Sequence, residues 1–352
     1  MSGGKRLVVV GATGATGQRV LRLAANAGLK PVAVARKAES LTRVAEGLDV
    51  ETRSATLAAD ELDRVLADAA VVVSGVGPST AYGAPIVEAA LRAGAHYVDF
   101  SGEGRWVQRL SEEYRGQAVR AGVCLVPAVG LGVAGDLAAS RAAAGTREIR
   151  RITISYKIVG MRPSVATTRS LIEIIAGGAP VAEHGEVRFL RPGRAGAPLP
   201  GIRFPTPDAL VLRTVWPEAR IETVMQRPLE PVSGAAMAAL GAALRSPVVQ
   251  RGARRVLGAW SRKLSERGRD HGKAGGGRGT ATVRVEGSDT DCTVIASFDD
   301  VYDVTGRSGF LLAQALLDGQ GEPGLRSWCS VMGFGEEIAA KAAVALSERS
   351  QT

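Results

Sequence analysis

The chain has 352 residues, 45% of them hydrophobic, which is enough apolar material to build a full core in a protein of two lobes. Aromatic residues make up only 4%, which disfavours nucleic-acid recognition by base stacking, and the formal net charge of +9 comes largely from scattered arginines. The three cysteines lie far apart without metal-ligand spacing, and there is no signal-peptide pattern or membrane-length apolar stretch, so we predict a cytoplasmic protein without a metal site.

The first predicted element is a strand followed by a glycine-rich turn. The valine-rich run at residues 6–10 is typical of a strand buried on both faces, and Gly11, Gly14 and Gly17 follow it at the start of a helix. Such glycines permit a tight turn, a close approach of a pyrophosphate, and tight packing of helix on strand. The sequence therefore predicts a dinucleotide site at the positive end of the helix. Four further residues of the turn are expected to contact the cofactor: Ala12, Thr13, Ala15 and Thr16.

The end of the second predicted strand indicates which dinucleotide is bound. A site selective for NAD usually carries an acidic residue there, about 20 residues past the turn. This chain has Ala35 followed by Arg36 and Lys37. Because a guanidinium binds a 2′-phosphate through charge-assisted hydrogen bonds, we predict NADPH as the cofactor. The alternative is that both cations are ordinary solvated loop charges.

Further strands alternate with helices along the first third of the chain. Residues 70–78 repeat the pattern of a buried strand and a glycine turn, and strands are also predicted at 96–100 and 123–127. This alternation is typical of a Rossmann-type parallel α/β sheet, in which ligands bind outside the carboxyl ends of the strands. Four residues after the third buried strand should therefore line the cofactor: Gly75, Val76, Gly77 and Pro78.

Two segments in this region carry a family resemblance. Residues 77–83 read GPSTAYG and residues 93–103 read AGAHYVDFSGE. Together they resemble saccharopine dehydrogenase-like oxidoreductases, a family that includes the bacterial trans-acting enoyl reductases. The resemblance implies that both segments border the cofactor cleft, with Ser101 in contact with the cofactor. It also implies that the glycine-rich turn at 129–136, with Gly130 at the cofactor, leads out of the nucleotide domain.

The remainder of the chain predicts a second domain of different character. We expect an NADP-binding domain at 1–135, an α+β substrate domain at 136–334, and a C-terminal helix within 335–352 that returns to the nucleotide domain. The substrate domain is expected to hold strands at 151–159, 280–286, 292–298 and 328–334, with irregular loops over a pocket at 185–232.

A strongly basic helical insertion is predicted at 235–269. Apolar side chains recur at helical spacing, with arginines and a lysine around the other face. The helix either covers the substrate cavity, forms the interface of a homodimer, lies on a membrane surface, or docks an acidic acyl carrier protein.

Four side chains are candidates for the proton chemistry that accompanies hydride transfer. Tyr82, Asp99 and Glu103 follow predicted strands, where they would face the nicotinamide. Tyr82 either donates a proton or shapes the pocket, and the two carboxylates either act on the substrate or hold their loop. His184 is the best-placed histidine of the substrate domain, unless it is merely exposed.

Three functions follow from these expectations. The first is an NADPH-dependent reductase of a C=C or C=N bond in a small or acyl-linked metabolite, in a biosynthetic pathway. The second, which the family resemblance implies, is an amino-acid oxidoreductase acting on a secondary amine, with Arg162, Arg169 and Arg203 as ligands for substrate carboxylates. The third is a redox sensor that holds NADPH without turnover.

Overall fold

The computed structural model describes most of the chain. The described residues are 6–161, 165–191, 193–194, 198–199, 201–226, 239, 242–243, 246, 248–249, 251–253, 255–256 and 276–348. The basic insertion predicted at 235–269 lies largely outside them, and so does Arg162. None of the helices within these described ranges is both long and apolar enough to cross a membrane.

The first domain is built on a seven-stranded sheet in which every pairing is parallel. Its strands are β1 (Arg6–Val10), β2 (Val32–Ala35), β3 (Glu51–Ser54), β4 (Ala69–Ser74), β5 (His96–Asp99), β6 (Cys124–Val126) and, late in the chain, β15 (Gly324–Leu325). Across the sheet they follow the order β15-β6-β5-β4-β1-β2-β3. The order runs outward from β1 in both directions, which opens a crevice at the carboxyl ends of β1 and β4. The predicted Rossmann-type sheet is confirmed.

Helices pack on both faces of this sheet. Their bounds are α1 (Ala15–Asn26), α2 (Ala38–Ala45), α3 (Ala59–Leu66), α4 (Ser79–Arg92), α5 (Gly104–Arg109), α6 (Arg115–Ala121), α10 (Val301–Leu317) and α11 (Trp328–Met332). A π-helical turn at Leu110–Tyr114 joins α5 to α6. Helix α10 packs on α1 where two glycines remove side chains: a Cβ on Gly306 would lie 2.8 Å from Cβ of Arg19, and one on Gly309 would lie 3.3 Å from Cγ2 of Val20.

The second domain contains a mixed nine-stranded sheet. Its strands are β7 (Arg151–Val159), β8 (Ala179–Glu183), β9 (Glu186–Leu190), β10 (Gly193–Arg194), β11 (Ile202–Arg203), β12 (Arg220–Met225), β13 (Arg278–Glu286), β14 (Asp291–Phe298) and β16 (Ala345–Glu348). Its helices are α7 (Leu131–Ala143), α8 (Val165–Gly177), α9 (Asp208–Leu212) and α12 (Glu336–Lys341). Alternate side chains of β13 are completely buried, namely Ala281, Val283 and Val285, and α7 packs on this face.

The predicted domain boundaries need correction because the segment from α10 to β15 packs on the first domain. Within the predicted substrate domain at 136–334, α10 packs on α1 and β15 pairs with β6. Within its described part, 335–348, the C-terminal segment does not return as a helix to the nucleotide domain. It forms the short α12 and then β16, which pairs with β14 of the second sheet.

One smaller expectation is also wrong. The strand predicted at 328–334 is the helix α11, whose start is capped by Ser327 accepting from the backbone N–H of Ser330 at 3.1 Å. Within the described part of 185–232, the short strands β9 to β12 lie among loops, and α9 is a helix that was not predicted.

A buried carboxyl group ties the two domains together. Asp136 on α7 accepts a hydrogen bond at 2.9 Å from the backbone N–H of Cys329 on α11. Burial raises the pKa of Asp136 to about 6. Asp136 therefore carries a proton more readily in the folded protein than in water.

Candidate dinucleotide-binding site

The glycine turn after β1 has a conformation that depends on its glycines. Gly11 has φ of +79°, and its N–H donates to the carbonyl of Val34 at 2.9 Å. A Cβ on Gly17 would lie 2.5 Å from the carbonyl oxygen of Gly11, so no side chain fits between the helix and the turn. The strand, turn and helix are therefore held closely together, as a dinucleotide turn requires.

The start of α1 is open to an anion. Gly14 caps this 12-residue helix, and no side-chain cap hydrogen bond is made to its first N–H groups by the residues that the structure describes. The side chains of Thr13, Ala15 and Thr16 are half-buried at this end. Unpaired N–H groups at the positive end of a helix bind phosphate.

Ala12 requires a correction among the predicted contacts. It is completely buried, and its N–H donates to the carbonyl of Val34 at 3.1 Å. Ala12 therefore stabilises the turn from inside and does not present its N–H to a ligand.

Two cations lie at the carboxyl end of β2. Arg36 and Lys37 are both exposed, and no ion pair within the described part of the chain includes either of them. The Ser54 hydroxyl donates to the carbonyl of Arg36 at 3.2 Å and so fixes the backbone there. Both charges remain available to a ligand over this edge of the sheet.

The loop after β4 lines the same crevice and meets the second domain. Gly75 donates from its N–H to the carbonyl of Val10 at 2.8 Å, and the residues from Gly75 to Pro78 are half-buried. A Cβ on Gly77 would lie 3.5 Å from Oγ of Ser170 on α8. Helix α8 therefore covers this loop.

Asp99 was predicted as a catalytic candidate, but it is a structural residue that does not face the crevice. Its side chain is 0% exposed. One carboxylate oxygen accepts from the Trp106 indole at 2.7 Å and from the Tyr97 hydroxyl at 3.1 Å. The other accepts from both the N–H and the hydroxyl of Ser101 and from the N–H of Ala128. Asp99 thus holds the loops after β5 and β6, the second of the two roles predicted for it.

Glu103 is also buried, at the seam between the two domains. Its carboxylate accepts from the N–H of Ser79 at 3.0 Å and from the hydroxyl of Ser170. Burial raises the pKa of Glu103. With these partners, Glu103 joins α4 to α8 and is not a free base, so its predicted catalytic role is not supported by its position.

The remaining predicted residues differ in their surroundings. Tyr82 lies in the first turn of α4 with 44% of its surface exposed. Ser101 directs its hydroxyl proton to Asp99, at 2.8 Å. Gly130 is buried at the start of α7, where a Cβ would lie 3.3 Å from Oγ1 of Thr305 on α10.

His184 lies apart from this crevice. It is exposed in the turn between β8 and β9, with φ of +48°. It lines a polar groove with Arg150, Arg220 and other charged residues, and no residue of the glycine turn lines that groove. This position gives no support to a general acid at His184, and that role stays a prediction.

Two of the three arginines predicted to bind substrate carboxylates lie within the described residues. Arg203 lies on β11 beside the buried Glu222, with 3.5 Å between Nε and the carboxylate. Arg169 is exposed on α8.

Helix α8 contributes residues that the sequence analysis missed. Thr167, Ser170 and Ile174 share one face of the helix. Oγ1 of Thr167 lies 3.1 Å from the hydroxyl of Tyr302 on α10, and Ile174 would lie 2.9 Å from a Cβ on Gly102. The hydroxyl residues were visible in the sequence, but no local pattern indicates which helix face meets another domain.

Comparison with known proteins agrees with this geometry. Residues 7–126 match the family described as the saccharopine dehydrogenase NADP-binding domain.

The resemblance noted in the sequence is thereby confirmed, and the matched family is described as NADP-binding. A lipid droplet localized protein from Caenorhabditis elegans is 33% identical over 138 residues, which is 35% of this chain and 32% of that protein. A Mycobacterium tuberculosis protein named as a trans-acting enoyl reductase is 34% identical over 133 residues, which is 35% of this chain and 32% of that protein. The matched part thus spans about a third of the length of these curated relatives.

The likeness of fold extends beyond the NADP-binding domain. Saccharopine dehydrogenase (L-Glu forming) from Saccharomyces cerevisiae superposes with a TM-score of 0.60, covering 99% of this chain and 100% of the other at 15% identity. At this identity the match shows a shared fold for both domains. The chain thus shares its two-domain fold with this solved structure, and residues 7–126 match an NADP-binding domain family.

Proposed function

We propose that the protein is an NADPH-dependent reductase of a C=C or C=N bond in a small or acyl-linked metabolite, in a biosynthetic pathway. When bound, the reduced nicotinamide supplies a hydride to such a bond. The protein's own contribution is to hold the dinucleotide at the glycine turn, orient the substrate, and exclude water by covering the crevice with α8.

The preference for NADPH is carried by one observation. Arg36 and Lys37 stand unpaired, within the described residues, at the strand end where an NAD-selective site would carry an acidic side chain. A 2′-phosphate at this position would receive charge-assisted hydrogen bonds from both cations.

The type of bond reduced is supported by the relatives. The mycobacterial relative is named as a trans-acting enoyl reductase, and the matched domain family is named for saccharopine dehydrogenase. Arg203, one of the arginines expected to bind a substrate carboxylate, lies against Glu222 and so does not support an amino-acid substrate. The carrier-protein partner, the homodimer and the cytoplasmic location stay predictions.

The cofactor preference is tested by replacing Arg36. We expect Arg36→Ala to weaken NADPH binding roughly 10–100-fold, as the loss of a charge-assisted hydrogen bond implies, and to leave NADH binding unchanged. Fluorescence titration of both reduced cofactors measures this. The matched control is Arg43→Ala on α2, an exposed arginine that donates to Ser40. An equal loss for both cofactors, or no loss, contradicts the assignment.

The reaction class is tested by turnover. Purified protein with NADPH should lose the absorbance of the reduced nicotinamide when given an enoyl thioester or a cyclic imine. Activity on one and not the other identifies the bond. Tight NADPH binding with no oxidation across both panels would instead favour the redox sensor.

A further inference from the structure

Arg19 is a half-buried cation close to the start of α1. It lies one helical turn after Ala15, and its guanidinium Nη1 turns back to donate to the Ala15 carbonyl at 3.0 Å. No carboxylate is paired with Arg19 among the ion pairs of the described ranges. A guanidinium sheltered from water without a counter-charge is costly, unless an anion joins it.

Tyr302 holds this guanidinium in place from the other side. The Arg19 guanidinium carbon lies 5.4 Å from the centre of the Tyr302 ring, within the range of a cation–π contact. The Tyr302 hydroxyl in turn lies 3.1 Å from Oγ1 of Thr167 on α8. The stem of Arg19 packs against α10 at Gly306, which has no side chain to displace it.

The position of Arg19 matches a charge requirement of the crevice. A cofactor diphosphate carries about two negative charges, whereas the end of a helix supplies roughly half a positive charge. Arg36 and Lys37 follow β2, on the side expected for the adenosine, and so serve the 2′-phosphate. Arg19 is on the very helix whose first turn receives the diphosphate, and Arg side chains on helices lean toward the N-terminal end.

We propose that Arg19 is a diphosphate-binding residue of the cofactor site and that Tyr302 is its positioning residue. This inference rests on the binding mode proposed above, with the diphosphate at the glycine turn. It adds a cation that serves every nicotinamide dinucleotide, whereas Arg36 serves only the phosphorylated one. The contacts from Arg19 to Tyr302 and from Tyr302 to Thr167 also connect the bound diphosphate to α8 of the second domain.

The test compares three ligands by calorimetry on the full chain: NADP⁺, NAD⁺ and adenosine 2′-monophosphate, which has no diphosphate. We expect Arg19→Met, which keeps an apolar stem, to weaken NADP⁺ and NAD⁺ by the same factor, roughly 10–100-fold, and to leave adenosine 2′-monophosphate unchanged. Arg36→Ala should show the complementary pattern, weakening NADP⁺ and adenosine 2′-monophosphate only. Arg22→Met, an exposed arginine on the same helix, is the matched control.

Unchanged binding of NADP⁺ and NAD⁺ to Arg19→Met overturns the proposal, as does equal weakening of all three ligands. If Arg36→Ala fails to discriminate while Arg19→Met behaves as expected, the NADPH preference fails and the role of Arg19 stands. Thermal unfolding without ligand checks that each variant is folded, and Arg19→Lys, which keeps the charge, should bind more tightly than Arg19→Met.

The positioning role of Tyr302 is tested by a double-mutant cycle. Tyr302→Leu should weaken NADP⁺ binding, while the double variant with Arg19→Met should bind no more weakly than Arg19→Met alone. Fully additive losses would show that Tyr302 acts independently of Arg19 and would overturn its assigned role.

Discussion

The indole of Trp106 donates to the buried carboxylate of Asp99 at 2.7 Å, and this bond fixes the loop that follows β5. The same carboxylate accepts from Ser101 and from Ala128 after β6. Asp99 and Trp106 therefore shape one wall of the cofactor crevice from within the core, although neither is exposed to it.

Replacing Asp99 should reduce stability. An asparagine presents an amide N–H where one oxygen now accepts, so at least one buried donor loses its acceptor. We expect Asp99→Asn to lower the free energy of unfolding by about 3 kcal/mol, measured by urea denaturation. Asp299→Asn, at an exposed carboxylate, should change it by no more than about 0.5 kcal/mol. A fully stable but inactive Asp99→Asn protein would restore the catalytic interpretation.

Gly83 should be intolerant of a methyl group because of the same indole. A Cβ there would lie 2.5 Å from Cζ2 of Trp106, and the ring cannot withdraw without breaking its bond to Asp99. We expect Gly83→Ala to cost about 1–3 kcal/mol in the free energy of unfolding.

The helical control for this prediction is Gly116→Ala. Its nearest neighbour is the flexible end of Arg120, at 3.5 Å, so the substitution should stabilise the protein by up to about 1 kcal/mol. Equal effects of the two substitutions in urea denaturation would contradict the packing argument.

Gly17→Ala should damage the cofactor site directly. The new Cβ would meet the carbonyl of Gly11 at 2.5 Å, so the turn must open. We expect NADP⁺ affinity in calorimetry to fall by more than about tenfold, since the backbone N–H groups lose their alignment. Gly145→Ala, where no atom lies within 4 Å of the new Cβ, should bind as the native protein does. Native affinity in Gly17→Ala would mean that the phosphates bind elsewhere.

Asp136 should make stability depend on pH. Folding raises its pKa from 3.8 to about 6, so the folded state binds the proton more tightly than the unfolded state. The resulting stabilisation is fully present below the unfolded pKa of 3.8 and is lost as the pH rises through about 6. Its full size is about 3 kcal/mol.

The measurement is urea denaturation of the native protein and Asp136→Asn from about pH 4 to 7. The asparagine stays neutral, so from pH 4 to 7 the difference in the free energy of unfolding between the two proteins should shift in favour of the variant by about 2 kcal/mol. Parallel stability curves would show that Asp136 does not titrate in this range.

The first domain could be predicted from sequence because its signals are local. The valine-rich strand, the glycines at 11, 14 and 17, and the cations after β2 all lie within about thirty residues of one another. Strand β7 was predicted with the bounds that the structure has, Arg151–Val159, because its apolar and polar residues alternate.

The later chain was harder because its interactions join distant segments. Nothing in the sequence around Gly324 indicates pairing with β6, nearly two hundred residues earlier. Helix α11 has a local signal in the sequence, because Ser327 is a typical helix-capping residue. The aromatic and apolar residues that follow it are equally typical of a strand. Asp99 and Glu103 were found by their positions after β5, but their burial depends on partners from other elements.

The return of the chain at α10 and β15 also bears on how the protein is made. Most of the second domain lies in the chain between two parts of the first, so a ribosome must release residues 301–332 before the N-terminal segment can complete its own sheet and cover α1. A fragment ending near residue 135 would leave apolar surface of α1 uncovered. We therefore expect such a fragment to aggregate during synthesis and the intact chain to acquire its cofactor only after translation has ended.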